Sequence, residues 1–360
     1  MKASTSESTF QSRLERARAE MARTGVDALI LSLGHDLPYL TGYLAMPLER
    51  LTLLVVPRDG EASLIIPRLE APRVTEMPSV FSLATWNETD DPVALAHKLL
   101  GAARTIAVGD QMWSRFLVDL LKFRPDAKYV RSVVVMEALR SRKDAAEIAA
   151  LVAAGAAADR VAAQLHAGDI PLVGRTEAQV SADISARLLA EGHQVVNFAI
   201  VAAGENAASP HHHAGDRVIK HGEIVLCDFG GTMNDYCSDI TRCVHIGEPP
   251  SDIAEAYSVL FESQAAGVAA GIVGSSCAGV DAASRGVIDA AGFGEWFVHR
   301  TGHGIGMEAH EDPYMVSGNK LPIAAGHAFS VEPGIYIPGK WGMRLEDIVV
   351  ATVNGPDSMN

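Results

Sequence analysis

Apolar and polar positions along this chain switch between a helical period and a two-residue period, and the switches mark its elements. Over residues 10–24, Phe10, Leu14 and Met21 recur on one face with charges around the rest, which predicts an opening helix. Residues 26–33 read as a buried strand, followed by a loop, GHDLPYLTGY. Residues 51–66 read as a hairpin turning at Asp59 and Gly60, a strong short-range turn signal. A strand over 104–108, a helix over 114–123 and a strand over 129–135 complete an α/β pattern. Near 136–143 the last strand gives way to a charged helix start, so we place one domain over 1–138 and a second over 139–360. The helix that begins there is an alanine-rich aliphatic run lasting to about His166. Thr176, with Gln179 three residues on, forms a capping box and opens a helix with Val180, Ile184 and Leu188 inward. These two helices are expected to cover the outer face of a curved sheet.

Two later strand pairs carry acids where a core should not. Residues 223–229 and 236–246 are strand-like and joined through Gly230, Gly231 and Asn234. A turn centred on Met233 and Asn234 would set Asp228 directly opposite Asp239, an unfavourable pairing of like charges. Val225, Leu226 and Ile240 shield that pair from water, so a positive charge should lie between the two aspartates. The device repeats near the end of the chain, where strand-like residues 329–337 and 343–352 set Glu332 opposite Glu346. A solvated turn would explain one such hairpin but not two. Between the pairs lies HRTGHGIGMEAHEDP, with His299, His303 and His310 separated by glycines that let backbone pass close to a ligand. Four carboxylates and one imidazole are the ligands of a two-metal hydrolase, and two divalent cations balance four negative charges. Two bridging carboxylates would hold such ions roughly 3.5–4 Å apart.

Composition narrows the alternatives. The 360 residues suffice for two cores of ordinary size, and 48% hydrophobic with 21% charged residues describes a globular protein. A formal charge of −14 opposes nucleic-acid and anionic-membrane partners. No apolar run reaches the ~20 residues of a membrane span, and the first 21 residues lack a signal peptide's apolar stretch, so a cytoplasmic protein is expected. Cys227, Cys237, Cys243 and Cys277 are spaced neither as a zinc knuckle nor as a disulfide framework and read as reduced core residues. GHGIGMEAH lacks the spacing of a dinucleotide loop, and His310-Glu311-Asp312-Pro313 lacks the second histidine of a zincin helix.

Asp228, Asp239, His303 in GHGIG, Glu332 in SVEPG and Glu346 in RLED resemble, in order and spacing, the five metal ligands of the creatinase, prolidase and aminopeptidase P family. The resemblance spans the chain and includes His211 in SPHH, His299, His310 and Arg344. It implies a creatinase-type α/β N-terminal domain followed by an α+β "pita-bread" catalytic domain. It also implies an Xaa-Pro dipeptidase or an Xaa-Pro aminopeptidase, whose substrate is a small peptide with proline second, and a homodimer. One ion would take Asp239, His303, Glu332 and Glu346, the other Asp228, Asp239 and Glu346. Oxygen-rich ligands favour Mn²⁺, with Co²⁺ or Zn²⁺ as alternatives. Glu332 would shuttle the proton, His299 and His310 would hold the scissile carbonyl, His211 would line the proline pocket, and Arg344 would bond a ligand carboxylate. Creatinase works without metal, methionine aminopeptidase lacks this domain in front, and non-catalytic relatives should have lost ligands, whereas this chain keeps all five. For the free carboxylate of a dipeptide, Asp36 and Arg50 on N-terminal loops are the candidate groups. Family chains usually add a short strand after RLED, and none is expected before Asn360.

Overall fold

The computed structural model describes residues 5–360 and divides into two compact units, up to Arg140 and from Ser141. Residues 1–4, the start of the domain expected over 1–138, lie outside the described residues. The first unit opens with α1 (Glu7–Thr24), capped by the Ser6 side chain and ended by Gly25 at φ 71°, burying Phe10, Leu14 and Met21. There follow β1 (Ala28–Leu31), α2 (Asp36–Thr41), β2 (Leu53–Pro57), β3 (Ser63–Pro67), β4 (Ser82–Trp86), α3 (Pro92–Leu99), β5 (Thr105–Val108), α4 (Ser114–Phe123), β6 (Lys128–Arg131) and α5 (Val133–Arg140). They build one six-stranded sheet of order β4-β3-β2-β1-β5-β6. The hairpin around Asp59 and Gly60 pairs Leu53 with Ile65.

Three local readings change. The segment GHDLPYLTGY holds the helix α2, which ends at Gly42 with φ 69°. The strand expected over 129–135 stops at Arg131, and the Val-Val-Val run is helical because Val135, Met136 and Leu139 then share one buried face. The charged helix expected to run on to His166 is two helices. The chain breaks after Arg140, and Asp144 starts the next with a full capping box to Glu147.

The second unit begins with α6 (Ala145–Ala167) and α7 (Glu177–Ala190), followed by β7 (Val195–Ala203), β8 (Ile224–Met233), β9 (Tyr236–Cys237) and β10 (Ile240–His245). Then come α8 (Ser251–Ala270), α9 (Cys277–Ala290), β11 (Gly302–Gly304), β12 (Glu311–Met315), β13 (Ala328–Val331), β14 (Gly334–Ile337), β15 (Trp341–Arg344), β16 (Asp347–Thr352) and β17 (Gly355–Ser358). One sheet runs β10-β8-β7, with β9 on β8; another runs β12-β11-β13-β16-β17; β14 and β15 pair apart. The short final strand not expected from the sequence is therefore present as β17.

The helices form one layer against these sheets. Val180, Ile184 and Leu188 of α7 are fully buried with Val225, Cys227 and Phe229 of β8, each contributing about 1.5–3 kcal/mol if fully desolvated. Helix α6 is long and apolar enough to cross a membrane by composition alone, but here Leu151, Ala154, Ala158 and Val161 are buried within the protein core. All four cysteines are buried; burial pushes the thiols of Cys237 and Cys243 up to about 11, so they stay protonated.

The two halves of this unit repeat one backbone pattern. Gly174, Glu177 and Ala178 donate to the carbonyls of Ile219, Arg217 and Gly215, and Gly274, Cys277 and Ala278 donate in the same order to Ile323, Leu321 and Asn319. Each half thus places one helix start and one carboxylate-bearing hairpin.

Candidate metal centre

The first hairpin turns at Asn234 and Asp235, both at positive φ (51° and 71°), with Met233 paired to Tyr236. The turn lies one residue later than the sequence suggested, so the register slides by two and Asp228 faces Thr241 instead of Asp239. A two-residue slide preserves the face, which keeps Asp239 on the same side, diagonal to Asp228. Gly230 permits the crossing: a Cβ there would lie 2.1 Å from the Ser238 carbonyl oxygen. In the second hairpin Val331 pairs with Asp347 and Gly334 with Arg344, so Glu332 and Glu346 fall opposite each other between two ladders in one register. His303 arrives on β11, where a Cβ on Gly302 would sit 1.8 Å from the Ser330 carbonyl oxygen, so only glycine lets this strand pass.

These three segments converge. Ligand atoms of Asp228, Asp239 and Glu346 lie within 4.8 Å of one another, as do those of His303, Glu332 and Glu346, and those of Asp239, His303 and His310. His303 Nδ1 donates to the Gly304 carbonyl (3.1 Å), which leaves Nε2 aimed at Glu332 Oε1 (3.1 Å) and Asp239 Oδ2 (3.7 Å). Asp228 Oδ1 and Glu346 Oε1 are buried with no hydrogen-bond partner among the described residues. Burial pushes Asp239 and Glu346 well above the usual carboxylate range, and neighbouring carboxylates push them further. Orphaned anionic oxygens beside an imidazole nitrogen free to coordinate fit divalent cations, and the residues present suffice to hold them.

Arg344 is the buried cation of this cluster. Its Nη2 donates to Asp228, its Nη1 to the Tyr336 hydroxyl (2.7 Å) and its Nε to Thr241 Oγ1 (3.1 Å). Thr241 in turn donates to Glu346 Oε2 (2.6 Å). Neither Tyr336 nor Thr241 stood out in the sequence, because a hydroxyl on a strand carries no spacing signal.

The other expected residues divide. His211, His299 and His310 line a cavity of about 930 Å³ together with the ligands. The His310 ring lies tilted by 31° against that of His303, with ring centroids 3.7 Å apart. His299 is the residue that the sequence offers, with His310, to hold a substrate carbonyl. Its Nδ1 donates to the Arg300 carbonyl (2.7 Å) and its Nε2 meets the Tyr336 hydroxyl (2.8 Å), so no ring N–H is left for substrate. The loop bearing His211 is tied down by buried Glu177, which accepts from Ala203 N, Asn206 Nδ2 and His212 Nε2. Asp36 and Arg50 belong to the N-terminal unit. There Asp36 pairs with Arg140 (2.7 Å) and Ser132, and Arg50 with Glu49 (2.5 Å) and Glu88 (2.8 Å). Arg300 was passed over; it lines the cavity, with its guanidinium 4.4 Å from the Tyr314 ring centre.

A pH dependence follows from the raised carboxylates. Folded metal-free protein retains protons on Asp239 and Glu346 that the unfolded chain has already lost above its ordinary carboxylate range. Its stability therefore falls as pH rises through that window, while cation binding expels the same protons and strengthens with pH. Thermal melts of chelated and Mn²⁺-loaded protein between about pH 5 and about pH 8 should show a gap that widens with pH. A gap that narrows contradicts this assignment.

Comparisons with known proteins bear on the family and the fold. The sequence model of metallopeptidase family M24 matches residues 143–353, and that of the creatinase/prolidase N-terminal domain matches residues 13–142. A probable dipeptidase PepE of Mycobacterium tuberculosis is 44% identical over 359 residues, covering 98% of this chain and 94% of that protein. The crystal structure of dipeptidase PepE from Mycobacterium ulcerans superposes with a TM-score of 0.94 at 45% identity, covering 99% of this chain and 96% of the other. A prolidase from Thermococcus sibiricus gives a TM-score of 0.92 at 30% identity, over 99% and 98% of the two chains. With a creatinase-type α/β domain in front of a pita-bread catalytic domain, this chain is a hydrolase that belongs to metallopeptidase family M24.

Proposed function

We propose that the enzyme is a two-metal dipeptidase that cleaves Xaa-Pro dipeptides, with Mn²⁺ as its preferred ion. The observation that carries this reading is the set of five converging ligands with two orphaned carboxylate oxygens. Asp239, His303, Glu332 and Glu346 would hold one ion, and Asp228, Asp239 and Glu346 the other. The ions supply Lewis acidity and an activated water at neutral pH.

The remaining steps belong to side chains. Burial works to raise the pKa of Glu332, but the His303 hydrogen bond and charge, with His299 and Arg344, outweigh it and hold the carboxyl at about 2. Glu332 is therefore ionised in the metal-free protein, and in the loaded enzyme it would take a proton from the attacking water and deliver it to the proline nitrogen. That delivery matters because a tertiary amide nitrogen leaves poorly until protonated. His310, facing the cavity, is placed to hydrogen-bond the scissile carbonyl, while His211 lines the proline pocket. His299 acts through Tyr336, which it orients toward Arg344.

A dipeptide also brings a carboxylate into a cavity already lined with acids. Of the two arginines lining it, Arg344 is committed to Asp228. Arg300 makes no ion pair among the described residues, and its Nη2 lies 3.4 Å from His310 Nδ1. Arg300 is thus the group best placed to receive the substrate carboxylate, a role the sequence suggested for Arg50.

The test is a panel of Ala-Pro, its C-terminal amide, Ala-Pro-Ala and Ala-Ala with Mn²⁺ added. Ala-Pro should have the highest kcat/KM. Ala-Pro-Ala equal to it would indicate an aminopeptidase, and Ala-Ala above it would remove the proline preference. Arg300→Ala should lower kcat/KM for Ala-Pro by about 10–100-fold, the worth of a charge-assisted hydrogen bond, and leave the amide nearly unchanged.

A further inference from the structure

The ligands Asp239 and Glu346, which both ions would share, lie between strands of different sheets, just before β10 and just before β16, so something must fix their spacing. Strand alternation puts the answer on the far face, away from the cavity. Thr241 and Glu346 meet on the cavity side through the Thr241 hydroxyl. The next residue on each strand, Arg242 and Asp347, meets behind them: Arg242 Nη2 lies 2.7 Å from Asp347 Oδ1. The same guanidinium donates through Nη1 to the backbone carbonyl of Glu346 (2.6 Å) and to that of Thr241 (3.1 Å). Gln264 of α8 holds the other Asp347 oxygen at 2.8 Å. By contrast, the backbone bond across this junction, Glu346 N–H to the Thr241 carbonyl, is long at 3.3 Å.

We propose that Arg242 and Asp347, oriented by Gln264, form a clamp on the back of the sheet junction that positions Glu346 against Asp239 for cation binding. This rests on the reading of the cluster as a metal centre. The planar guanidinium suits the task because one side chain reaches a carboxylate and two carbonyls at once, which a lysine ammonium on a flexible stem does not. The pair is about one-fifth exposed (19% and 20%), so its loss should disturb ligand spacing more than folding. Both residues are positioning groups and touch no substrate.

The experiment measures Mn²⁺ affinity by chelator competition, together with the melting temperature of metal-free protein, in the parent, Arg242→Lys and isosteric Asp347→Asn. Both variants should bind Mn²⁺ about 10–100-fold more weakly, the usual cost of losing a group that orients a ligand. Metal-free melting should stay within about 4 °C of the parent. An affinity loss under about fivefold in either variant overturns the clamp, as does a loss accompanied by a larger drop in melting. A parent that binds no Mn²⁺ overturns the metal reading and the clamp together, whereas a parent that binds and variants that match it overturn the clamp alone.

Discussion

Exhaustive chelation should lower turnover by about a thousandfold or more, and added Mn²⁺ should restore it. The magnitude follows from asking a Lewis acid for several kcal/mol of transition-state stabilisation, at about 1.4 kcal/mol per tenfold in rate. The buried groups beside the ligands are already engaged. Arg344 is held by Asp228, Tyr336 and Thr241, and the ring nitrogens of His299 are engaged. The same chelation should leave a folded chain, since the two hairpins are registered by their ladders and glycine crossings. Metal analysis before chelation should approach two ions per chain under the proposed ligand set. Full activity after complete metal removal would refute the metal centre.

Glu332→Gln should cost about 10²–10⁴-fold in kcat, the range for loss of a positioned general acid or base. The substitution keeps shape and removes charge and proton transfer together. It also takes away the anion beside His303 Nε2, so cation affinity should fall as well. Kinetics at saturating Mn²⁺ separate the two losses: excess metal should refill the site without restoring kcat. A variant that regains more than about a tenth of the parent rate at high Mn²⁺ would show that Glu332 only holds metal.

The contrast between Asp228/Asp239 and Glu332/Glu346 shows how far pattern carries. Both pairs were visible because acids interrupt apolar strands. The glutamates lie in the register read from the sequence, since β13/β16 and β14/β15 continue one ladder. The aspartates are two positions out of that register, because either Met233-Asn234 or Asn234-Asp235 could form the turn and only the positive φ of Asn234 and Asp235 decided between them. The error did no harm to the site, since a shift of two leaves every side chain on its face. A shift of one would have removed Asp239 from it.

What the chain determined by itself was therefore local and periodic: the hairpin at Asp59 and Gly60, helix α4, the capping box at Thr176, and the carboxylates that interrupt apolar strands. Such features depend on neighbours within one turn or one strand, so spacing encodes them. The helical state of Val-Val-Val at 133–135 and the helix α2 were decided by burial against distant residues, which outweighs the β preference of valine. The neighbours of the site residues were also decided in three dimensions: Tyr336 and Thr241 around Arg344, the Arg242–Asp347 pair next along the strands from Thr241 and Glu346, and Arg300 lining the cavity. Single polar side chains acquire such roles only when strands remote in sequence meet, because the energy of a buried hydrogen bond or ion pair depends on where its partner lies and leaves no period along the chain.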